Sequence, residues 1–179
     1  AEQGDADAQF NLAEAFRTGR GEERSITRAV DWYRRAAEQG HARAQLALAH
    51  CCHLGKGTEQ SDAEAARLYR AAAEQGIAQA QHSYAVCCLN GLGVERSLTE
   101  ALKWYRAAAE QGYAPAQYMV GLSCEEGMGM PEPRPAEAVK WYRSAAEQGN
   151  AKAQFALALC YADGVGTEAS PEEAFRWYE

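Results

Sequence analysis

The sequence predicts an all-α fold built from five copies of one helical hairpin. Three observations lead to this prediction: Ala-Glu-Gln-Gly recurs at steps of 36, 36, 36 and 37 residues, a Gly-x-Gly recurs in the same register, and so does an aromatic pair. A fixed period of about 20 to 50 residues is typical of stacked repeat proteins. We therefore divide the 179-residue chain, as a single array over 1–179, into repeats 1–36, 37–72, 73–108, 109–145 and 146–179, the last one truncated.

The first helix of each repeat, helix A, is predicted from apolar and small residues at helical spacing. In the first repeat it runs from about Asp5 to Thr18, with Leu12, Ala13 and Phe16 on one face. The Gly-x-Gly that follows supplies the backbone freedom that a helix C-terminus and a tight reversal require. These glycine pairs are Gly19/Gly21, Gly55/Gly57, Gly91/Gly93, Gly127/Gly129 and Gly164/Gly166.

The second helix, helix B, is predicted to begin after a serine and to end at a glycine such as Gly40. Ser61, Ser97 and Ser170 each precede a glutamate by three residues, which predicts capping boxes, whereas Ser25 precedes Arg28 and should cap less well. So short a hairpin cannot bury its apolar face alone, so the repeats must stack through alanines and aromatic pairs. The aromatic pairs are Trp32-Tyr33, Trp104-Tyr105, Trp141-Tyr142 and Trp177-Tyr178, with Leu68-Tyr69 in the second repeat.

Composition limits the kinds of partner that the chain would bind. The net charge is −7, with a pI of about 5.2, which argues against nucleic acid or an anionic membrane surface and favours neutral or basic partners. No apolar run approaches about 18 residues, so no direct membrane contact is expected. The chain starts inside an Ala-Glu-Gln-Gly string and ends within a helix B. We therefore expect it to be part of a longer protein.

These motifs together resemble the Sel1-like repeats, relatives of the tetratricopeptide repeats with a slightly longer unit. The resemblance covers the whole chain and rests on an A-x-A-Q start, the Gly-x-Gly turn and an Ala-x-x-Trp-Tyr-x-x-Ala-Ala-x-x-Gly end. The A-x-A-Q segments are 6–9, 42–45, 78–81, 114–117 and 151–154. The resemblance implies a right-handed α/α superhelical solenoid and a scaffold or adaptor role, with no cofactor. Cys52, Cys88 and Cys124 depart from the family's aromatic at the end of helix A.

By analogy with the related repeats, helix A should line a concave surface on which a protein or peptide partner binds. The candidate partner-binding residues are Phe10, Glu14, Arg17, Leu46, His50, His53, His82, Val86, Leu89, Tyr118, Leu122, Phe155 and Leu159. Their variation beside an invariant framework is what a specialised recognition surface should show. Two interpretations remain open, since these side chains could face a groove or pack against the next helix A.

Cysteine and histidine residues suggest two further hypotheses. All six cysteines lie near the end of helix A, where equivalent positions in neighbouring repeats should be too far apart to bridge. Buried, reduced thiols are therefore expected, which favours a reducing compartment such as the cytoplasm. His50, His53 and His82 could converge as a metal site, but their spacing matches no established metal-binding motif, and no metal is predicted.

The sequence favours a scaffold over an enzyme. It holds no Gly-x-Ser-x-Gly elbow and no phosphate-binding loop, and the Gly-x-Gly turns are explained by the repeat itself. No catalytic residue is therefore predicted. Two alternatives remain: a structural spacer within a larger protein, and a repeat protein with hydrolase-like or metal-binding activity.

Overall fold

A computed structural model of the chain describes residues 4–21 and 23–178. Those residues contain ten α-helices and no strand. The helices are α1 (Ala6–Thr18), α2 (Ile26–Glu38), α3 (Ala42–Leu54), α4 (Asp62–Glu74), α5 (Ala78–Asn90), α6 (Leu98–Glu110), α7 (Ala114–Glu126), α8 (Pro135–Ala146), α9 (Ala151–Asp163) and α10 (Pro171–Tyr178). The prediction of an all-α chain of alternating A and B helices is confirmed. No helix among them has the length and apolar character that crossing a membrane requires.

The chain divides into two compact units, unit 1 (Ala1–Arg96) and unit 2 (Ser97–Glu179). Unit 1 holds α1 to α5, and unit 2 holds α6 to α10. Inside each unit, a helix packs chiefly on the helices that precede and follow it in sequence. This neighbour-to-neighbour packing is what stacked repeats produce.

Serine side chains cap helix B as the sequence predicts. The Oγ atoms of Ser25, Ser61 and Ser97 accept from backbone N–H groups three residues on, at 3.4, 3.3 and 3.2 Å. The longest of these bonds is in the repeat that was expected to cap less well. The capping box predicted at Ser61 is incomplete, however. The Ser61 N–H donates to the carbonyl of Cys52 at 2.9 Å, so the serine joins helix B to the end of helix A.

The fourth repeat has no serine cap at the start of its helix B. Its additional residue lies in the proline-rich stretch from Met130 to Pro135, and Pro135 is the first residue of α8. Arg134 occupies the N-cap position without a side-chain bond. Its backbone N–H still donates to the carbonyl of Cys124 at 2.6 Å. The longer loop therefore keeps the bond that joins the two helices.

The core consists mainly of alanines, with some leucines, valines and cysteines and one tyrosine from each complete helix B. Tyr33, Tyr105 and Tyr142 are at most 1% exposed. The tryptophan beside each of them is only half-buried, so the predicted role of the Trp-Tyr pair belongs mainly to the tyrosine. In the second repeat both Leu68 and Tyr69 are buried. Leu68, which stands where the other repeats have tryptophan, is thus more deeply buried than those tryptophans.

The glutamines of the A-x-A-Q and Ala-Glu-Gln-Gly motifs form hydrogen bonds between helices, which explains why these positions are polar. Gln45, from an A-x-A-Q segment, is buried; its side-chain amide donates to the Ala37 carbonyl of the preceding helix B at 3.3 Å. Its side-chain oxygen accepts from Gln75, the glutamine of Ala-Glu-Gln-Gly, at 2.8 Å. Gln117 repeats both bonds in unit 2, with Ala109 and Gln148. Each buried glutamine therefore joins three consecutive helices through satisfied polar groups.

Helix B has an arginine four residues before a glutamate at Arg34, Arg70, Arg106 and Arg143, a spacing that allows pairing on one helix surface. Only Arg70 and Glu74 form such a pair, at 2.8 Å, among the described residues. Arg106 instead pairs with Glu137 of the next helix B at 2.8 Å, and Arg143 donates to the Tyr161 hydroxyl. These arginines extend along the array because an acid or a hydroxyl of the following repeat lies within their reach.

Candidate functional site

The candidate partner-binding residues occupy the fifth, ninth and twelfth positions of the A helices. In unit 1 these are side chains of α1, α3 and α5, and those at the fifth and ninth positions are all half-buried. In unit 2, Tyr118 and Leu122 are half-buried, whereas Phe155 and Leu159 are 57% and 41% exposed. Neither the fully packed nor the fully open interpretation describes this face. Its residues rest on the core and also present surface to solvent.

A buried tyrosine of helix B lies beneath the helix A face in several repeats. The ring of Phe10 lies 5.9 Å from that of Tyr33 in unit 1, and Tyr118 lies 5.9 Å from Tyr142 in unit 2. At the ninth position of α3, His50 meets Tyr69 edge-on, with centroids 5.2 Å apart. The same tyrosines that form the core therefore support the candidate surface.

Charged groups on α1 neutralise one another. The Glu14 carboxylate accepts from Arg17, at 2.6 Å between Nη2 and Oε2, and also from the Tyr33 hydroxyl. The Arg17 hydrogen bond is the largest cause that lowers the pKa of Glu14. Burial, followed by the bond to Glu14, raises the pKa of Tyr33. This end of unit 1 already has its charges paired before any partner binds.

The histidines of unit 1 have protein partners of their own. Nδ1 of His53 lies 2.7 Å from Oδ1 of Asp62, and Nδ1 of His50 lies 3.1 Å from the Leu46 carbonyl. Burial lowers the pKa of both His50 and His82, and the neighbouring His53 contributes further at His50. Within residues 4–21 and 23–178, no three His, Cys, Asp or Glu side chains are grouped so that they could hold a metal.

The cysteines lie where the sequence places them, at the ends of the A helices. Five of the six are buried free thiols, and Cys51 is half-buried. Burial is the first cause that raises the pKa of Cys87 and of Cys160 to about 11. Raised pKa values keep these groups as thiols rather than thiolates at neutral pH, which makes them poor nucleophiles.

Unit 2 contains an open groove of about 570 Å³ on the helix A face. Its walls come from Tyr118 and Leu122 of α7 and from Phe155 and Leu159 of α9, and Tyr142 of α8 lies at its base. Ala151 and Ala156 leave the space between these larger side chains. Glu125 and Lys152 are the two charged residues of the lining.

Comparison with known families shows which protein family this chain represents. The Sel1 repeat profile matches residues 6–41, 42–77, 78–113, 114–150 and 151–179. The chain belongs to the Sel1 repeat family. The predicted all-α solenoid of five repeats is thereby confirmed, and the general role of Sel1 repeats is to mediate protein interactions.

Solved Sel1 structures agree closely with this fold. A Sel1 repeat protein from Oxalobacter formigenes is 37% identical, with a TM-score of 0.93 over 98% of this chain and 70% of that one. The protective antigen c5321 of uropathogenic Escherichia coli is 33% identical, with a TM-score of 0.95 over 99% of this chain and 38% of that one. This Sel1 chain therefore spans well under half the length of the antigen. A comparison with curated protein sequences finds no significant match.

Sequence reasoning identified the wall residues of the unit 2 groove but not the groove itself. Tyr142 was interpreted as a core residue, and Lys152, Ala151 and Ala156 were not singled out. The missing signal was residue size: α9 has alanine at its first and sixth positions, beside large apolar residues at the fifth and ninth. That contrast indicates a gap only once the neighbouring helix is in place.

Proposed function

We propose that this Sel1 repeat protein is a scaffold that binds a peptide or protein segment of a partner along its helix A face. The observation that supports this most directly is the open groove of unit 2, because a concave apolar surface with a few polar groups is typical of binding sites. The general role of the family supports the same proposal. The partner would be a protein rather than nucleic acid, in keeping with the net charge of −7.

The proposal is tested by panning a displayed random-peptide library on the purified chain. A triple variant, Phe10→Ala, Tyr118→Ala and Phe155→Ala, should lose the enriched peptides while keeping its helical circular dichroism. A matched control, Asp31→Ala with Lys140→Ala, removes two exposed helix B side chains and should keep binding. Absence of any enriched peptide, or equal binding by the triple variant, would favour a spacer role instead.

We infer further that the chain itself is not an enzyme. The acid and the imidazole best placed on the unit 1 face, Glu14 and His53, are already paired with Arg17 and Asp62. The buried thiols have raised pKa values and are poorly suited to nucleophilic attack. Hydrolysis of chromogenic ester and amide substrates by the purified chain, above a heat-denatured control, would contradict this inference.

A further inference from the structure

The charged residues of the unit 2 groove are arranged differently from those at the same helix positions on α1. On α1 the twelfth-position residue, Arg17, neutralises the ninth-position Glu14. On α7 the ninth position is Leu122, and the twelfth is itself an acid, Glu125. Neither Glu125 nor Lys152 has an ion-pair partner among the residues that the structure describes. Unit 2 therefore combines an open apolar surface with unneutralised charges.

The carboxylate of Glu125 is held in place. Its Oε2 atom accepts a hydrogen bond from the Tyr142 hydroxyl at 2.5 Å, and Tyr142 is fully buried. Because the hydroxyl is a neutral donor, this bond orients the carboxylate without neutralising it. A fixed, half-buried and uncompensated carboxylate beside apolar side chains is a specific acceptor for a cationic group.

Further negative charge lies at the same end of the groove. Glu126 and Asp163 are exposed residues that end α7 and α9. Burial first, and then the charges of Glu125 and Asp163, raise the pKa of Cys160, which agrees with both carboxylates lying near that thiol. The C-terminal ends of α7 and α9 add partial negative charge to that of these carboxylates. The opposite end carries Lys152, in the first turn of α9.

The dimensions of the groove set the spacing of groups that it can accept. Tyr118 and Leu122, and likewise Phe155 and Leu159, are four residues apart on their helices, which corresponds to a rise of about 6 Å. Lys152 is the second residue of α9 and Glu125 is the twelfth residue of α7. Because the two helices run in the same direction, these residues are separated by about 15 Å along the helix axis. A helix of about ten residues has that length.

From this geometry we propose that the unit 2 groove binds a short amphipathic helical segment of a partner protein. The segment carries two large apolar side chains four residues apart, which enter between α7 and α9, and a lysine or arginine about one turn beyond them, which pairs with Glu125. Docking of an amphipathic helix into an apolar groove is an established mode of peptide recognition. This inference rests on the proposed scaffold function and adds the chemistry of the partner.

The test uses peptides recovered from a displayed random 12-residue library on the full chain. The enriched sequences should share an i, i+4 apolar pair with a basic residue on one side. A resynthesised, fluorescein-labelled peptide should bind Phe155→Ala at least about tenfold more weakly by anisotropy. Glu125→Gln, which keeps an acceptor for Tyr142, should also weaken binding, and added NaCl should weaken binding to the wild type more than to Glu125→Gln.

Charge reversal and a control in unit 1 make the result decisive. Panning on Glu125→Lys should replace the basic residue of the consensus with an acidic one, and Asp31→Ala, at an exposed position of helix B in unit 1, should leave binding unchanged. Peptides that depend on Phe10 but not on Phe155 would overturn this inference while leaving the scaffold function standing, as would a consensus without a basic residue. Recovery of no peptide at all would overturn both. Thermal unfolding of each variant verifies that it is folded.

Discussion

At the scale of single residues, glycine and alanine are not interchangeable within helix A. The eighth position is alanine in α1, α3, α5 and α9 but Gly121 in α7. A Cβ atom on Gly121 would lie 2.5 Å from Cδ1 of Tyr142, the tyrosine at the base of the unit 2 groove. The absence of a side chain therefore determines how closely that ring approaches α7.

Replacement of Gly121 with alanine should destabilise the protein, although alanine is the better helix former by about 1 kcal/mol. The aromatic ring is buried and cannot move without disturbing the core, so overpacking should cost about 1 to 3 kcal/mol and outweigh the helix propensity. Urea unfolding followed by circular dichroism measures the change. A more stable Gly121→Ala protein would show that Tyr142 can shift at little cost.

The imidazoles of His50 and His82 predict how stability depends on pH. Burial lowers both pKa values below the ordinary value of about 6.5. Between the folded and unfolded pKa values, the unfolded chain therefore binds more protons. The stability that these groups contribute is complete above about pH 6.5 and is lost as the pH falls through their folded pKa values. Melting temperatures of the wild type should decrease from pH 7.5 to 5.5 more than those of His50→Gln with His82→Gln. Parallel pH profiles would contradict this.

At the scale of the structural element, two kinds of glycine lie in the turns that follow the helices. Gly76, which follows helix B, has φ of +87°, and an added Cβ would meet nothing within 4 Å. Gly93, the second glycine of a Gly-x-Gly turn, has φ of +69°, and its Cβ would lie 2.2 Å from the Asp62 carbonyl oxygen of the preceding helix B. Gly57 and Gly166 make the same close approach to Ile26 and Pro135. The second glycine is thus a packing requirement between repeats.

These two glycines form a matched pair of substitutions. Gly76→Ala should cost about 1 to 2 kcal/mol, because only the left-handed backbone conformation is penalised. Gly93→Ala bears that penalty and a collision with backbone atoms, so it should be more destabilising by at least about 1 to 3 kcal/mol. Thermal or urea unfolding of the two variants in parallel gives the difference. Equal effects would mean that the turn at Gly93 can move away from α4.

The helices were predictable from the sequence because their signals are local. The serine caps, the terminating glycines and the alanine spacing each act within one helix or turn, and all of them are found where expected. The buried Gln45 was recognised only as part of a motif, since its partner Gln75 lies 30 residues away. The groove required knowledge of which side chains of α7, α8 and α9 meet. Residue types at helix A positions predict where a surface lies, but not where it is open.

At the scale of the whole molecule, the principal contacts join helices that are consecutive within each unit. Stability in such an array is close to a sum over repeats and their interfaces, so a local defect should remain local. Hydrogen–deuterium exchange of Gly121→Ala should therefore increase most in α7 and α8 and less toward α10. A uniform increase throughout unit 2 would instead show that its helices unfold as one cooperative block.

The lengthened loop of the fourth repeat has a practical consequence for engineering this protein. One additional residue is accommodated there, the Arg134 amide still reaches the carbonyl of Cys124, and residues 131–134 are exposed. Natural tolerance of a length change identifies a permissive site. A fluorophore attachment sequence or a short epitope placed between Met130 and Pro133 would report on the molecule while leaving all five hairpins, and the groove between α7 and α9, intact.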